Sequence, residues 1–390
     1  MDFGYAPENE AFRQEVRQFI ADTVTPELRL ELEDRRESGP GPLMGELLHK
    51  LGAKGWIGMS WPKEYGGLGA DKINQYVFEE EFCRENLPLV MNNILEQAPV
   101  IMAVGTEEQK KYFISGLIKG EIHFALGYTE PSAGTDLASL KTSAVEDGDD
   151  FVINGQKVFT SNAHWASHIY MMARTDPNVP KHKGISLLLV PLNTPGITVR
   201  PLWTLGGGRT NEVFFDDVRV PKTALLGEKN MGWYVGSMGL NLGRVGAGRY
   251  MGYVRAYEDI VDFIKEQKTE WRSLADDPAV QDSLAELYCD AQIARVFTLR
   301  SLSLSRRGVT ATYENSAEKV WGPEFGVRSS ELTAQILGPY GQLWEGSEFA
   351  PEKGEFARHF VGAMVSTFAH GGVEVMRDAI ARRGLGLPRG

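Results

Sequence analysis

Hydrophobic positions in the first third of the chain recur at helical spacing. Phe12, Val16, Phe19 and Ile20 share one face of a run opened by Pro7-Glu8-Asn9-Glu10. Leu43, Leu47, Leu48 and Leu51 form a second stripe between Pro42 and Lys54. Helical stretches are also predicted over Ile73–Arg84 and Leu89–Val104. Thr106-Glu107-Glu108-Gln109 is a helix start, with Thr106 as the cap and acids in the first turn. Between them Trp61-Pro62-Lys63-Glu64-Tyr65-Gly66-Gly67-Leu68-Gly69 reads as a loop from its Pro and Gly content. Near His123 the period shortens to two and turn residues multiply. Gly184–Val190, Gly196–Val199 and Asn211–Phe215 are predicted strands of a β domain ending near Gly227. After Gly232 the helical period returns and holds to Arg382. Helix, sheet, helix predicts an α+β chain in three segments: 1–122 helical, 123–230 β, and 231–390 helical.

The most informative stretch runs from Gly127 to Asn162. Its loop, Thr129-Glu130-Pro131-Ser132-Ala133-Gly134-Thr135-Asp136, is rich in hydroxyls and small residues. Gly134 is expected to take backbone angles that let successive N–H groups converge on one acceptor. Asn154-Gly155, between Phe151-Val152-Ile153 and Gln156-Lys157-Val158-Phe159, is the expected turn of a hairpin. The residues alone leave two readings open, an anion-binding loop and an ordinary surface hairpin.

Composition narrows the classes. At 390 residues the chain is long enough for two or three cored domains. A net charge of −11 argues against nucleic acid or an anionic membrane as the main partner. Two distant cysteines, Cys83 and Cys289, suit a reducing compartment, and no window has the apolar length of a membrane span. The N-terminal residues lack the apolar core of a signal peptide. A cytoplasmic location without membrane insertion is expected, and no metal site is indicated.

Several segments together resemble the acyl-CoA dehydrogenase family. They are Tyr128-Thr129-Glu130-Pro131 with Ala133-Gly134-Thr135-Asp136, Gly155-Gln156-Lys157-Val158-Phe159-Thr160-Ser161-Asn162, and the Trp61–Gly69 loop. Asp217-Val218-Arg219-Val220-Pro221, Gln335-Ile336-Leu337-Gly338 and the tail Gly384–Pro388 follow in the family's order. The resemblance implies a helical N-terminal domain, a central β domain and a C-terminal four-helix bundle, with FAD as cofactor and an acyl-CoA thioester as substrate. It implies electron-transfer flavoprotein as acceptor and a homo- or heterotetramer as the assembly. Carried over by position, Tyr128 and Thr129 meet the flavin's pyrimidine side, and Gly134 and Thr135 lie on the cofactor loop. Phe159 packs on the isoalloxazine, and the Ser161 hydroxyl lies near the reactive nitrogen. Gln335 and Gly338 meet the FAD of a neighbouring subunit, and Asn241 and Arg244 lie near the acyl-CoA.

One part of the pattern is missing. The family's reaction needs a base to remove the α proton, usually a Glu before a Gly-Thr-Ser run near the C-terminus. His370, in Ala369-His370-Gly371-Gly372, occupies that position, and the alternative position on the bundle's first helix is Gly243. The family's Arg-x-x-Phe-Gly element, which usually reaches the FAD pyrophosphate, is absent, and Arg272 in Glu270-Trp271-Arg272-Ser273 is a weak substitute. Three explanations stand at this point: His370 is the base, another carboxylate such as Glu96 serves, or the chain is a non-catalytic or FAD-sharing partner in a heteromer. A neutral imidazole accepts a proton near pH 7 without a large shift. Glu96 is costly to bury unless functional or paired, and its competing reading is a solvated helix residue. The texture is closest to a subgroup acting on steroid or cyclic thioesters, and other chemistry on this fold is the remaining alternative.

Overall fold

Pro7–Thr23 (α1), Pro42–Ala53 (α3) and Lys72–Arg84 (α4) form where the sequence predicts them, and Pro26–Ser38 (α2) is a further helix that no apolar stripe had marked. The computed structural model describes residues 5–38, 41–87, 96–242, 246–266, 274–309 and 311–388. The expected helix over Leu89–Val104 is described only from residue 96 onward, where α5 spans Ala98–Val104. Prolines at the first turns of α1, α3 and α5 lose no helix hydrogen bond and start each with a pre-set φ. The stripes meet around Trp56, whose ring takes edge contacts from Phe12, Phe19 and Phe78. Val16, Ile20, Leu47, Leu48 and Leu51 are buried beside it. At Thr106 a full capping box starts α6 (Glu107–Gln109). The Gln109 N–H donates to the threonine hydroxyl at 3.2 Å, and the Gln109 side chain accepts the Thr106 N–H at 3.0 Å. The helix continues through a π-helical turn into α7 (Ser115–Ile118).

The middle of the chain is an eight-stranded sheet. Its strands are β1 (Phe124–Gly127), β2 (Ser143–Asp147), β3 (Asp150–Lys157), β4 (His168–Arg174), β5 (Ile185–Pro191), β6 (Ile197–Trp203), β7 (Arg209–Pro221) and β8 (Leu225–Leu226). They lie in the order β6-β7-β3-β2-β4-β5-β8, with β1 parallel to β4. Phe151, Ile153, Ile169, Met171, Leu188, Val190, Val213 and Phe215 fill the core on alternate positions of these strands. A helix, α8 (Gly232–Leu242), packs on β5 and on α5.

The Asn154-Gly155 hairpin is not formed. β3 runs straight through both residues, and the turn falls at Gly148-Asp149, between the paired Asp147 and Asp150. Gly148-Asp149 is itself a two-residue hairpin signal, and Gly148 takes the left-handed φ of 63° that the turn needs. Asn154 and Gly155 instead mark a bulge against β7. The Asn154 amide donates to Asp217 at 3.0 Å and accepts the Asp217 N–H at 2.9 Å, which holds the bulge in place. Gly155 is needed there because its φ is 144° and a Cβ would lie 2.6 Å from the Thr142 hydroxyl.

The chain divides into two compact units; the N-terminal helices as far as Phe78 in α4, α5 to α8 and the sheet belong to the first, and the rest of α4 to the second. The second is built on α9 (Ala247–Glu266), α10 (Pro278–Arg306) and α11 (Glu314–Leu337). Ile260, Ile264, Leu287, Ala291, Phe325 and Phe356 form its core. In place of one long fourth helix come α12 (Glu355–Ala363) and α13 (Val365–Phe368), followed by α14 (Val373–Ala379). Among the described residues no helix is long and apolar enough to cross a membrane, and Cys83 and Cys289 are free thiols.

The placement of turn and bulge is tested by two substitutions. Gly155→Val should lower the unfolding free energy by about 1–3 kcal/mol, because the new side chain is both strained and blocked. Gly148→Asn, at an open turn position that asparagine tolerates, should change it by less than about 0.5 kcal/mol in the same denaturant titration.

Candidate active site

The loop after β1 is fixed by a buried ion pair. Lys157, 0% exposed, donates to the Glu130 carboxylate at 2.8 Å and to the Tyr128 carbonyl at 3.2 Å. Glu130, 5% exposed, also accepts the backbone N–H groups of Lys141 at 2.6 Å and Thr142 at 2.9 Å. Burial opposes ionisation of Glu130. The Lys157 ammonium and these hydrogen bonds outweigh it and hold the carboxyl below the usual carboxylate range. On Lys157 burial prevails over the attraction of Glu130 and pushes the ammonium down to about 8, which leaves it charged at neutral pH. Both ends of the loop are therefore tied to β3. Glu130 and Ala133 exchange backbone bonds of 3.1 and 3.0 Å across its tip.

The strand then leads into a strained turn. The Val158 N–H donates to the Thr129 carbonyl at 2.9 Å, extending the pairing by one residue. Phe159 follows with φ of 56° and a ring that is 62% exposed. A bulky residue in the left-handed region costs on the order of 1–3 kcal/mol and persists only where its surroundings impose it. Phe159 thus combines a strained backbone with a ring left open at the surface. Ser161 lies exposed two residues on, its hydroxyl 3.4 Å from that of Thr210. Thr129 is half-buried, and Thr135 is exposed on the adjoining loop. Gly134 keeps an ordinary backbone, contrary to expectation, and a Cβ there would meet nothing within 4 Å. The region's left-handed residues are Phe159 and Asn162.

Tyr128 points inward and is buried with Glu96 and Tyr170. Glu96, just before α5, is 0% exposed, so the reading of it as a solvated helix residue fails. Both side chains lie against the glycine face of α8. A Cβ on Gly236 would sit 2.8 Å from the Tyr128 hydroxyl, and one on Gly239 would sit 3.0 Å from Glu96 Cγ. Burial first, then the neighbouring Tyr170 and Glu96, raises the Tyr128 phenol far above its ordinary value. Burial and then Glu96 do the same for Tyr170, so both phenols stay neutral. Asn241 is half-buried near the C-terminal end of α8.

In the second unit, His370 stands in the turn between α13 and α14, half-buried, with φ of 56°, and Gly371 follows at 100°. Gln335 is exposed in the last turn of α11. Its carbonyl accepts the N–H of Gly338, which ends that helix at φ of 55°. Gly243, Arg244 and Arg272 lie outside the described residues. In the first unit, Gly134 and Thr135 lie on the loop after β1, and Thr129 on the same loop is bonded to the segment that carries Phe159 and Ser161, while Tyr128 and Glu96 are buried. Gln335, Gly338 and His370 lie in the other unit. Sequence reasoning missed Asn211, wholly buried beneath the Phe159 turn, and the coupling of Glu130 to Lys157. Lys157 could have been flagged, because it continues the inward-facing alternation of Phe151 and Ile153.

Three family descriptions match successive parts of the chain. They are the acyl-CoA dehydrogenase N-terminal domain over residues 6–121, the middle domain over 125–218 and the C-terminal domain over 230–385. The chain belongs to the acyl-CoA dehydrogenase family, whose members typically bind FAD. It is 35% identical to the acyl-CoA dehydrogenase FadE26 of Mycobacterium tuberculosis, across 100% of this chain and 99% of that protein. It is 37% identical to FadE29 of the same organism, across 98% of each. Among solved structures, the Tcur3481-Tcur3483 steroid acyl-CoA dehydrogenase superposes with a TM-score of 0.89 at 35% identity, covering 100% of both chains. The ChsE4-ChsE5 complex from Mycobacterium tuberculosis gives the same TM-score of 0.89 and 35% identity, again over 100% of both chains.

The ion pair sets an expectation for stability. Glu130→Gln should cost about 3–5 kcal/mol in denaturant unfolding at neutral pH, because it strands a buried ammonium. Adding Lys157→Met should make the combined loss smaller than the sum of the two single losses. Since the folded carboxyl titrates below its unfolded value, the native chain carries this stability above the ordinary carboxylate range. It loses it as the pH falls through the lowered folded value, so the gap to Glu130→Gln should close in acid.

Proposed function

We propose that the chain is an FAD-dependent dehydrogenase that oxidises the Cα–Cβ bond of an acyl-CoA thioester with a bulky or cyclic acyl group and passes the electrons to an electron-transfer flavoprotein. The observation that carries this reading is the exposed, strained Phe159 beside Ser161, on a loop clamped by buried charges. That arrangement suits a planar cofactor, since an aromatic face offers a large stacking area. Thr129 and Thr135 would supply hydroxyls to FAD, and the open side of Gly134 leaves room for close approach. Gln335 and Gly338 would serve the FAD of a neighbouring subunit. When bound, FAD supplies the acceptor for the β hydride. Ser161 would donate a hydrogen bond toward the reacting face, and Asn241 and Arg244 would orient the thioester.

His370 is the base in this proposal. Its left-handed backbone is the second strained position on a functional segment, and a neutral imidazole can take the α proton at physiological pH. Glu96, the other candidate, is completely enclosed, and a base must come within hydrogen-bond reach of the proton it removes. The glycines that the sequence places at 243, 371 and 372 would suit a wide acyl group by their small volume, and one relative is described as a steroid acyl-CoA dehydrogenase. A cytoplasmic homo- or heterotetramer is the assembly proposed.

A second reading is favoured by one observation: neither position that usually carries the family's carboxylate base does so here. On that reading the chain is the FAD-sharing or non-catalytic subunit of a heteromer. A solved relative is described as a complex of two named chains, ChsE4 and ChsE5.

Anaerobic mixing of the purified flavin-loaded protein with cyclic and linear CoA thioesters separates these readings. The main proposal expects flavin bleaching with a bulky thioester, a loss of at least about 100-fold in turnover for His370→Ala, and a much smaller loss for Glu96→Gln. Bleaching only after co-expression with a second dehydrogenase subunit would instead support the heteromer. No bleaching under either condition would contradict both.

A further inference from the structure

The Phe159 turn is held from one side by a single buried amide. Asn211, near the start of β7, is 0% exposed and uses its backbone and side chain on the same neighbour. The Thr160 N–H donates to the Asn211 carbonyl at 2.9 Å, and Asn211 Nδ2 donates to the Thr160 carbonyl at 2.9 Å. The second amide hydrogen faces His164 Nδ1 at 3.2 Å, while Oδ1 accepts from Arg209 Nε at 3.1 Å. These partners define the amide's orientation, since the Thr160 carbonyl can only accept and the Arg209 guanidinium can only donate. They also define the His164 tautomer. Its Nδ1 must be an unprotonated acceptor, which agrees with burial and then Arg209 lowering its pKa to about 4. Asn211 thus holds both backbone polar groups of Thr160, the residue after Phe159, while the Val158 N–H anchors the residue before Phe159 on Thr129.

We propose that Asn211, oriented by Arg209 and His164, is the positioning residue that keeps Phe159 and Ser161 in their cofactor-facing geometry. The inference rests on the reading of Phe159 as the flavin platform. Without the amide, the Thr160 carbonyl keeps only the longer bond of 3.4 Å from the Ala163 N–H, and the hold on the left-handed Phe159 is weakened. The sheet core around Phe151, Ile153 and Val213 does not depend on that turn, so the loss should register at the cofactor before it registers in the fold.

The test reconstitutes the full chain with FAD and measures affinity, the visible flavin spectrum and the flavin midpoint potential, with the melting temperature in parallel. Asn211→Asp keeps the shape, but it replaces the amide donor by an acceptor facing the Thr160 carbonyl. It should bind FAD about tenfold or more weakly, with an altered visible band and a shifted potential. His164→Phe, which removes only the partner of the second amide hydrogen, should move the same readouts in the same direction by about threefold. Ile153→Val, a core substitution in the same sheet, should lower the melting temperature while leaving affinity and spectrum unchanged. If Asn211→Asp does not fold, His164→Phe against Ile153→Val carries the comparison alone. Binding and spectra equal to the native chain in the variants at 211 and 164, or an equal change in Ile153→Val, would overturn the proposal. A native chain that takes up no FAD would overturn the functional reading and this role with it, so the two failures are distinguishable.

Discussion

A buried ion pair between Glu130 and Lys157 is the constraint on which the candidate site depends. Two opposite charges taken out of water are tolerable only when each is paired and its remaining hydrogen-bonding capacity is used. Here the carboxylate takes two backbone N–H groups besides the ammonium, and the ammonium takes the Tyr128 carbonyl besides the carboxylate. Every one of these partners lies on the loop after β1 or on its return to β2. The pair therefore ties that loop to β3 through four bonds.

With the loop fixed, Thr129 can pair with Val158, and β3 is carried one residue past its ladder before the chain must turn. The turn is made at Phe159 with a left-handed backbone, and β7 closes it through Asn211. Strain at one exposed aromatic is thus balanced by buried polar bonds on both sides. This division suits a binding surface: the energy is spent in the interior, and the ring and the Ser161 hydroxyl are left facing outward.

The fold was largely legible in the sequence, because the helical stripes and the alternating strands each carry their own period. The hairpin was the exception. Asn154-Gly155 has the chemistry of a tight turn, yet its asparagine is satisfied across a bulge by Asp217, and Gly148-Asp149 takes the turn instead. Local propensity could not choose between two good turn sequences; the pairing register with β7 did. The residues facing the proposed cofactor were legible through the family pattern. Their supports were not, because Asn211 and Glu130 act through contacts more than ten residues away in the chain. Glu96 shows the converse. Its sequence context suits a solvated helix face, but the glycines at 236 and 239 open α8 enough to bury it with two tyrosines.

The family is established by matches spanning almost the whole chain, while the base and the acyl group belong to the proposal. The proposal rests on Phe159 being a cofactor platform. The most direct measurement is a titration of FAD into the cofactor-stripped chain and into Phe159→Ala, with the melting temperature recorded for each. Saturable binding by the native chain, weakened about tenfold or more in the variant while the melting temperature is unchanged, is the predicted result. Equal binding by the two proteins, or no binding by the native chain, would contradict it.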